Sequence, residues 1–298
     1  MSGALAPSEG IAGPRPGARV LAASARHPGL VAGLAVLLLL TVAALAAPLL
    51  APHDPYAQDL ANRIVPPAWM DGAKTAHPLG TDHLGRDYLS RLLYGARVSL
   101  GIGLAVALLS GLIGTALGVT AGYFGGRIDM IISFVVTTRL ALPIVLVALA
   151  AVALVGASLQ TLVAVMALLL WDRYAVVMRA ATQQMRSRAF VTAARAVGCS
   201  TPRIIVAEIL PNLANQLIVV ATLEMAQAIL LEAALSFLGL GVQAPIPSWG
   251  LMIAEGKEHI LFEPWLIFMP GALLVLLVLA INTLGDGLRD VAAPSTRA

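Results

Sequence analysis

Asp82, His83 and Asp87, three residues within six positions, carry the carboxylate oxygens and imidazole nitrogen that a divalent metal takes. No second cluster in the sequence completes a set of four ligands, so no metal site is expected. Arg86 and Arg91 share the stretch GTDHLGRDYLSRLLYGARVSLGIG at residues 80–103, and after Arg97 the charges stop. Asp87 and Arg91 stand at i,i+4, a spacing that supports a helix. Asp82, Arg86, Asp87 and Arg91 therefore read as an outer docking or membrane-entry group. Tyr88 and Tyr94 suit a membrane interface, and Arg97 can extend to the headgroups. Glu224 and Glu232 lie in an otherwise apolar run, where an ionisable group is costly and faces a cavity or a partner. Eight residues set them about 80° apart around a helix, so both can line one pathway. The alternative is that each pairs with a neighbouring helix. Arg139 is a third candidate lining residue, or a side chain reaching for headgroups. No nucleophile–base pair and no G-x-x-x-x-G-K-[ST] phosphate loop is present, so no catalytic residue is assigned and ATP hydrolysis by this chain alone is excluded.

The elements that must position these residues are membrane helices. Of 298 residues, 59% are hydrophobic and 12% charged, against about 25% charged in soluble domains. Runs without Asp, Glu, Lys, Arg or His extend over Pro28–Pro52, Val98–Gly126, Leu140–Trp171 and Pro264–Asn282. They lack the polar stripe of a soluble helix, and a crossing needs roughly 20 apolar residues. Six spans are predicted, at about 29–50, 98–122, 130–154, 159–178, 213–238 and 264–284, which makes an all-α, polytopic membrane fold. Cys199 is the single cysteine and excludes a disulfide framework. Arg15, Arg19 and Arg26 before the first run resemble a signal peptide, but the run is too long for its apolar core. AAPLLAP remains readable as a cleavage site.

Orientation follows from the basic residues. With the N-terminus inside, twelve arginines fall in cytosolic segments, against six Lys or Arg in outer segments that also hold eight acids. Both termini are then cytosolic. The chain divides into a flexible cytosolic tail (1–27), a first span with an extracytoplasmic segment (28–96), a five-helix core (97–290) and a C-terminal tail (291–298). Asp172 and Arg173, at the predicted inner end of the fourth span, read as interfacial or coupling residues. His27, His53, His77, His83 and His259 fall outside the spans and are expected to be solvated. Met166, Met178, Met185, Met225, Met252 and Met269 follow no single helical spacing and read as core filler.

The longest cytosolic connection is 179–211. It predicts a short helix with Phe190, Ala194 and Val197 on one face, a stop at Gly198, and a second helix capped by Ser200 or Thr201 with Pro202 in its first turn. Leu210-Pro211 would end it. Ala193, Ala194, Ala196 and Gly198 let another surface approach closely. Both a plain connector and a docking element fit this reading.

TAARAVGCSTPRIIVAEILP resembles the EAA-x3-G-x9-I-x-LP motif shared by permease subunits of ATP-binding-cassette importers. Ala193, Ala194, Gly198, Leu210 and Pro211 match in register, while Thr192 stands for the motif's Glu and Glu208 for its Ile. The 80–103 stretch, GYFGGRIDMI, LSFLGLGVQAPIPSWGLM and GDGLRD are similar to segments of the dipeptide/oligopeptide-type branch. PPAW followed by HPLGTD is most like its second, C-type permease. That branch often carries an Asp and a Met before the proline of the third span. Here TTRLALP has Arg139 and Leu142, which leaves the pore lining at that point open.

The resemblance covers roughly residues 28 to 291. It implies the type I importer fold and a complex of this chain with a second homologous permease, two cytosolic ATPases that bind ATP and Mg, and an extracytoplasmic substrate-binding protein. It implies no cofactor in this chain, no nucleic acid, and a bacterial cytoplasmic membrane. Thr192, Ala193, Ala194, Gly198, Leu210 and Pro211 would be the ATPase-coupling residues. Dipeptides or short peptides are the expected cargo, with nickel, glutathione, haem and opines as alternatives within the branch. An ion-coupled carrier is the rival class. It would show internal repeats and would not need the arginine-rich loop, and no convincing repeat relates residues 28–154 to 159–284.

Overall fold

The computed structural model describes residues 28–292. The tail expected at 1–27 lies outside the described residues, as does the C-terminal tail beyond residue 292. The helices are α1 (Pro28–Leu45), α2 (Ala47–Leu50), α3 (Tyr88–Phe124), α4 (Gly126–Leu140), α5 (Ile144–Val155), α6 (Leu159–Leu169), α7 (Asp172–Arg186), α8 (Ala189–Ala196), α9 (Thr201–Arg203), α10 (Ala214–Phe237), α11 (Trp249–Gly256) and α12 (Trp265–Ala292). Among the described residues there is no strand, only an isolated bridge between Thr81 and Asp87.

Five helical stretches are long and apolar enough to cross a bilayer singly. The sixth crossing is α4 with α5, bent by 88° at their junction. Pro143 explains that break. It lacks an N–H, and it bars the residue before it from the α region. The spans also reach further than predicted. Asp87 accepts from the Ser90 amide and so starts α3 at Tyr88, ten residues before the apolar run. The second helix of the 179–211 segment does not end at Leu210-Pro211. It runs from α9 through a π turn (Ile204–Ile209) and a 3-10 turn (Leu210–Leu213) straight into α10. The changed hydrogen-bond register absorbs Pro211 in the first positions of the 3-10 turn, where its missing N–H is not needed.

One end of the bundle, called here the near end, gathers residues 52–87, the start of α3, α11 and the start of α12. Arg86 reaches Glu255 there, and the Tyr88 hydroxyl donates to the Leu266 carbonyl. At the far end lie the α3–α4 turn, the end of α7, and α8 and α9, with Arg186 donating to the Tyr123 carbonyl at 2.9 Å.

α3 and α7 pack closest along glycines. A Cβ at Gly114, Gly118 or Gly122 would run into the carbonyls of Trp171, Ala175 and Arg179 respectively. Small residues at four-residue spacing are the usual way for helices to approach in a bilayer. The near-end core joins Leu40, Tyr88, Leu92, Trp249, Met252 and Leu277. A middle core joins Val106, Val152, Leu162, Met166 and Leu235. The far-end core joins Val119, Met178, Val191, Ile204, Ile209 and Leu213. Met166, Met178 and Met252 thus fill cores.

Candidate functional site

The near end holds a closed ion network. Asp82 accepts from Arg86 Nε at 2.7 Å and from Arg91, and both arginines also bind Glu255, Arg86 at 3.1 Å and Arg91 at 2.7 Å. The side chains of Arg86, Arg91 and Asp82 are at most 3% exposed. Burial raises the Asp82 carboxyl, but the two guanidiniums beside it and the Arg86 and Leu84 amides outweigh that and hold it below the usual carboxylate range. Of the residues expected to form an outer docking or membrane-entry group, Asp82, Arg86 and Arg91 are an interior brace with Glu255, and Asp87 is buried beside them. Segment 52–87 and α11 fold over these side chains and take them out of water.

The Asp87–Arg91 ion pair expected at i,i+4 does not form. Asp87 is committed to its cap, taking the Ser90 amide and hydroxyl on Oδ2 and His77 on Oδ1 at 2.8 Å. Tyr88 is core, not interface, while Arg97 lies over the Tyr94 ring at 5.7 Å. Of the five histidines expected to be solvated, His53 is exposed, His27 lies outside the described residues, and His77, His83 and His259 are partly buried. His77 is bonded to Asp87 and only 12% exposed. Burial pushes the half-buried His83 imidazole down in pKa.

A second group sits where two spans break. Arg139, in the last turn of α4, donates to the Leu169 carbonyl and pairs with Asp172 at 3.3 Å. Leu169 ends α6, so its carbonyl has no continuing helix to accept from and is free for the guanidinium. Asp172 opens α7 and Arg139 closes α4, each at the helix end whose dipole suits its charge. Arg173, 60% exposed, pairs at 3.3 Å with Glu224, which is 1% exposed on α10. Arg139, Leu142, Asp172, Arg173, Glu224 and Gln227 line one open cleft, and Glu224 and Arg173 line a neighbouring one.

Asp172 and Arg173 are thus mid-span residues, not inner-end ones, because the fourth span continues through α7 to Arg186. The structure separates the two glutamates. Glu232 is 1% exposed and accepts from Ser236 at 2.7 Å and Ser248 at 2.9 Å. It fastens α10 to the N-cap of α11 and lines neither cleft.

The third element is the far-end loop. α8 turns one residue, Val191, into the far-end core, and Ala194 packs half-buried against it. Phe190 and Val197, expected to share a face with Ala194, are 39% and 84% exposed. The buried face is set by Val191 and Ala194, and the exposed Arg195 places its guanidinium 5.0 Å from the Tyr123 ring centre. Gly198 has φ 84°, and the Cys199 amide returns to the Ala194 carbonyl at 3.0 Å, a glycine stop of the expected kind. Ser200 stands at the next N-cap, but no side-chain capping bond forms there. Thr192, Ala193, Gly198 and Pro211 are exposed and Leu210 is half-buried. Thr192, Ala193 and Gly198 thus offer exposed small side chains on and just after α8.

Sequence reasoning named most of these residues and missed their meetings. Glu255 lies 169 residues from Arg86, and Ser248 lies sixteen from Glu232. The one sequence signal was that both fall in the polar connection between the last two spans.

The chain resembles known proteins along nearly its whole length. Residues 114–298 match the family of binding-protein-dependent transport system inner membrane components. Residues 16–67 match the N-terminal TM domain of oligopeptide transport permease C. The di/tripeptide transport system permease protein DppC of Pseudomonas aeruginosa is 43% identical over 92% of this chain and 90% of its own length. The dipeptide transport system permease protein DppC of Bacillus subtilis is 40% identical over 89% and 82%. A solved inward-facing structure of the MetNI methionine ABC transporter superposes with TM-score 0.58 at 19% identity, covering 69% of this chain and 98% of that one, and so shares the fold.

Proposed function

Because the chain belongs to the family of binding-protein-dependent transport system inner membrane components, we propose that it forms half of the translocation path of an ATP-driven importer of dipeptides and short oligopeptides. Its relatives named for dipeptide and di/tripeptide transport support the cargo. The far end, rich in arginine, faces the cytosol and the near end faces outward. A second, homologous permease completes the path, two cytosolic ATPases bind ATP and Mg at the far end, and an extracytoplasmic binding protein delivers substrate. This chain carries no phosphate loop, so hydrolysis falls to those partners.

One observation carries the reading. Only the tight turn at 197–200 separates the exposed surface around Thr192, Ala193 and Gly198 from the helix that reaches the cleft. From Thr201 to Phe237 the chain is continuously helical, and Glu224 sits on that same rod. An ATPase that grips α8 therefore moves Glu224 against Arg173, which belongs to the α7 side. The glycine contacts along α3 hold α7 close against that helix, and a shift of α10 changes the Glu224–Arg173 separation across the cleft. A dipeptide zwitterion meets both signs of charge in the cleft, from Arg173 and Arg139 on one hand and Asp172 and Glu224 on the other.

The test is a pair of variants in the reconstituted transporter. Ala193→Asp adds charge to the exposed surface without backbone strain, and Gly198→Asp adds it at the turn. Both should insert and assemble, yet lose ATP hydrolysis stimulated by the loaded binding protein. Normal stimulation in both would refute the docking assignment.

A further inference from the structure

We propose that His53, His77 and Asp87 form a site for one divalent transition-metal ion of the zinc class on the near face. Calling that face extracytoplasmic rests on the orientation given above; the site itself does not. The three residues come from separate stretches of chain, 34 positions from first to last, yet their ligand atoms all lie within 4.8 Å of one another. His77 Nδ1 is 2.8 Å and His53 Nδ1 3.6 Å from the same oxygen, Asp87 Oδ1. Zinc bonds of about 2.0–2.2 Å to N and O in a tetrahedron put donor atoms roughly 3.3–3.6 Å apart, and the two observed separations bracket that range.

One hydrogen bond to Asp87 Oδ1 is already made by His77. His53 Nδ1 lies 3.6 Å from the same oxygen, too far for a hydrogen bond and within the spacing of two ligands on one cation. The supporting contacts that a metal site needs are also present. Asp87 Oδ2 is held by the Ser90 amide at 2.8 Å and hydroxyl at 2.7 Å, which aims Oδ1 at the imidazoles. The His53 amide donates to that same Ser90 hydroxyl at 3.2 Å, fixing the backbone of His53. The His53 side chain is 41% exposed and His77 12%, so an ion enters from water and keeps an open coordination position. Two imidazoles and one carboxylate suit zinc, cobalt or nickel over calcium or magnesium.

A second trio, Asp82, His83 and Glu255, meets the same distance test but cannot take a cation. Its two carboxylates are already bound by the Arg86 and Arg91 guanidiniums. The pair of trios supplies its own control. Bound at the first, an ion would join the chain just past α2 to the N-cap of α3.

The experiment titrates Co2+ into the full chain, purified without a histidine tag and held in lipid nanodiscs. Visible d–d absorption and metal content after desalting are read together. The expected result is one Co2+ per wild-type chain, displaced by Zn2+. His53→Gln and His77→Gln should each weaken binding by more than about tenfold, the smallest loss usual even for supporting residues. His83→Gln should bind as wild type. Zn2+ should raise the melting temperature of wild type and of His83→Gln alone. No stoichiometric Co2+ on the wild type, undiminished binding in both His53→Gln and His77→Gln, or loss confined to His83→Gln would each overturn the proposal. These outcomes are independent of the ATPase readout, so failure of the site leaves the transport reading untouched.

Discussion

Two groups of two arginines and two carboxylates stand in this molecule, and they are put to opposite uses. Asp82, Arg86, Arg91 and Glu255 at the near end are packed shut, with each guanidinium shared between two acids. Arg139, Asp172, Arg173 and Glu224 sit at the breaks of two spans and are open. Arg173 is more than half exposed, and the Glu224 oxygens accept no hydrogen bond among the described residues. Formal charge cancels in both. The difference lies in access: the near-end set is shut away from water and makes a brace, and the mid-span set opens on a cleft that leaves room for a visitor. Residue type therefore does not tell structure from function here. Exposure does.

The sharpest attack on this contrast is Arg91→Met. It leaves Asp82 and Glu255 buried with one guanidinium between them, and breaking a buried pair this way costs about 3–5 kcal/mol. Assembled complex, followed by size-exclusion chromatography and thermal melting, should largely disappear. A stable, transport-dead Arg91→Met would instead make the near-end group functional.

Acid probes the same brace from another side. The Asp82 carboxyl is depressed in the folded chain, so its stabilisation is complete above the unfolded value of about 3.9 and is lost as pH falls through the lower folded value. The melting temperature of wild type should fall below about pH 4 more steeply than that of Asp82→Asn, which starts lower at neutral pH. Parallel curves would show that the network does not hold the charge.

Arg173→Gln should do the reverse of Arg91→Met. We expect uptake to drop about tenfold, roughly 1.4 kcal/mol of lost interaction, with assembly unchanged. Equal loss of uptake and of complex would erase the distinction between the two groups. The smallest effect is expected at the far end. Arg179 and Asp129 pair near the α3–α4 turn, and the Arg179 side chain is 37% exposed. Arg179→Gln should cost less than about 1 kcal/mol in a melting assay. A larger loss would place that pair with the closed group.

The spans were legible because a charge-free run long enough to cross a bilayer rarely serves any purpose but crossing one. The glycine stop at Gly198 was legible because a left-handed residue after a short helix asks for glycine. What escaped was whatever depends on two distant stretches meeting. Arg91 could be paired on paper only with Asp87, its helical neighbour, while its true partners are one loop residue and one residue on α11. Glu224 and Glu232 share a helix and an environment by sequence, and only the positions of Arg173 and Ser248 assign them different work. Helix ends moved for a local reason: Asp87 caps α3 early, and the π turn carries α9 past Pro211.

The 88° bend between α4 and α5 also bears on how the chain is made. At 1.5 Å per residue the fifteen residues of α4 reach about 22 Å and the twelve of α5 about 18 Å, each short of a bilayer core of about 30 Å. Neither can be threaded into the membrane as an independent rod. Arg139 leaves the ribosome before Asp172 and Leu169 exist to receive it, and a lone arginine deep in lipid costs about 2.5–3.5 kcal/mol by insertion scales. Synthesis thus places a debt in the bilayer that only the arrival of α6 and α7 discharges, which makes the stretch from Gly126 to Arg186 a single unit of biogenesis.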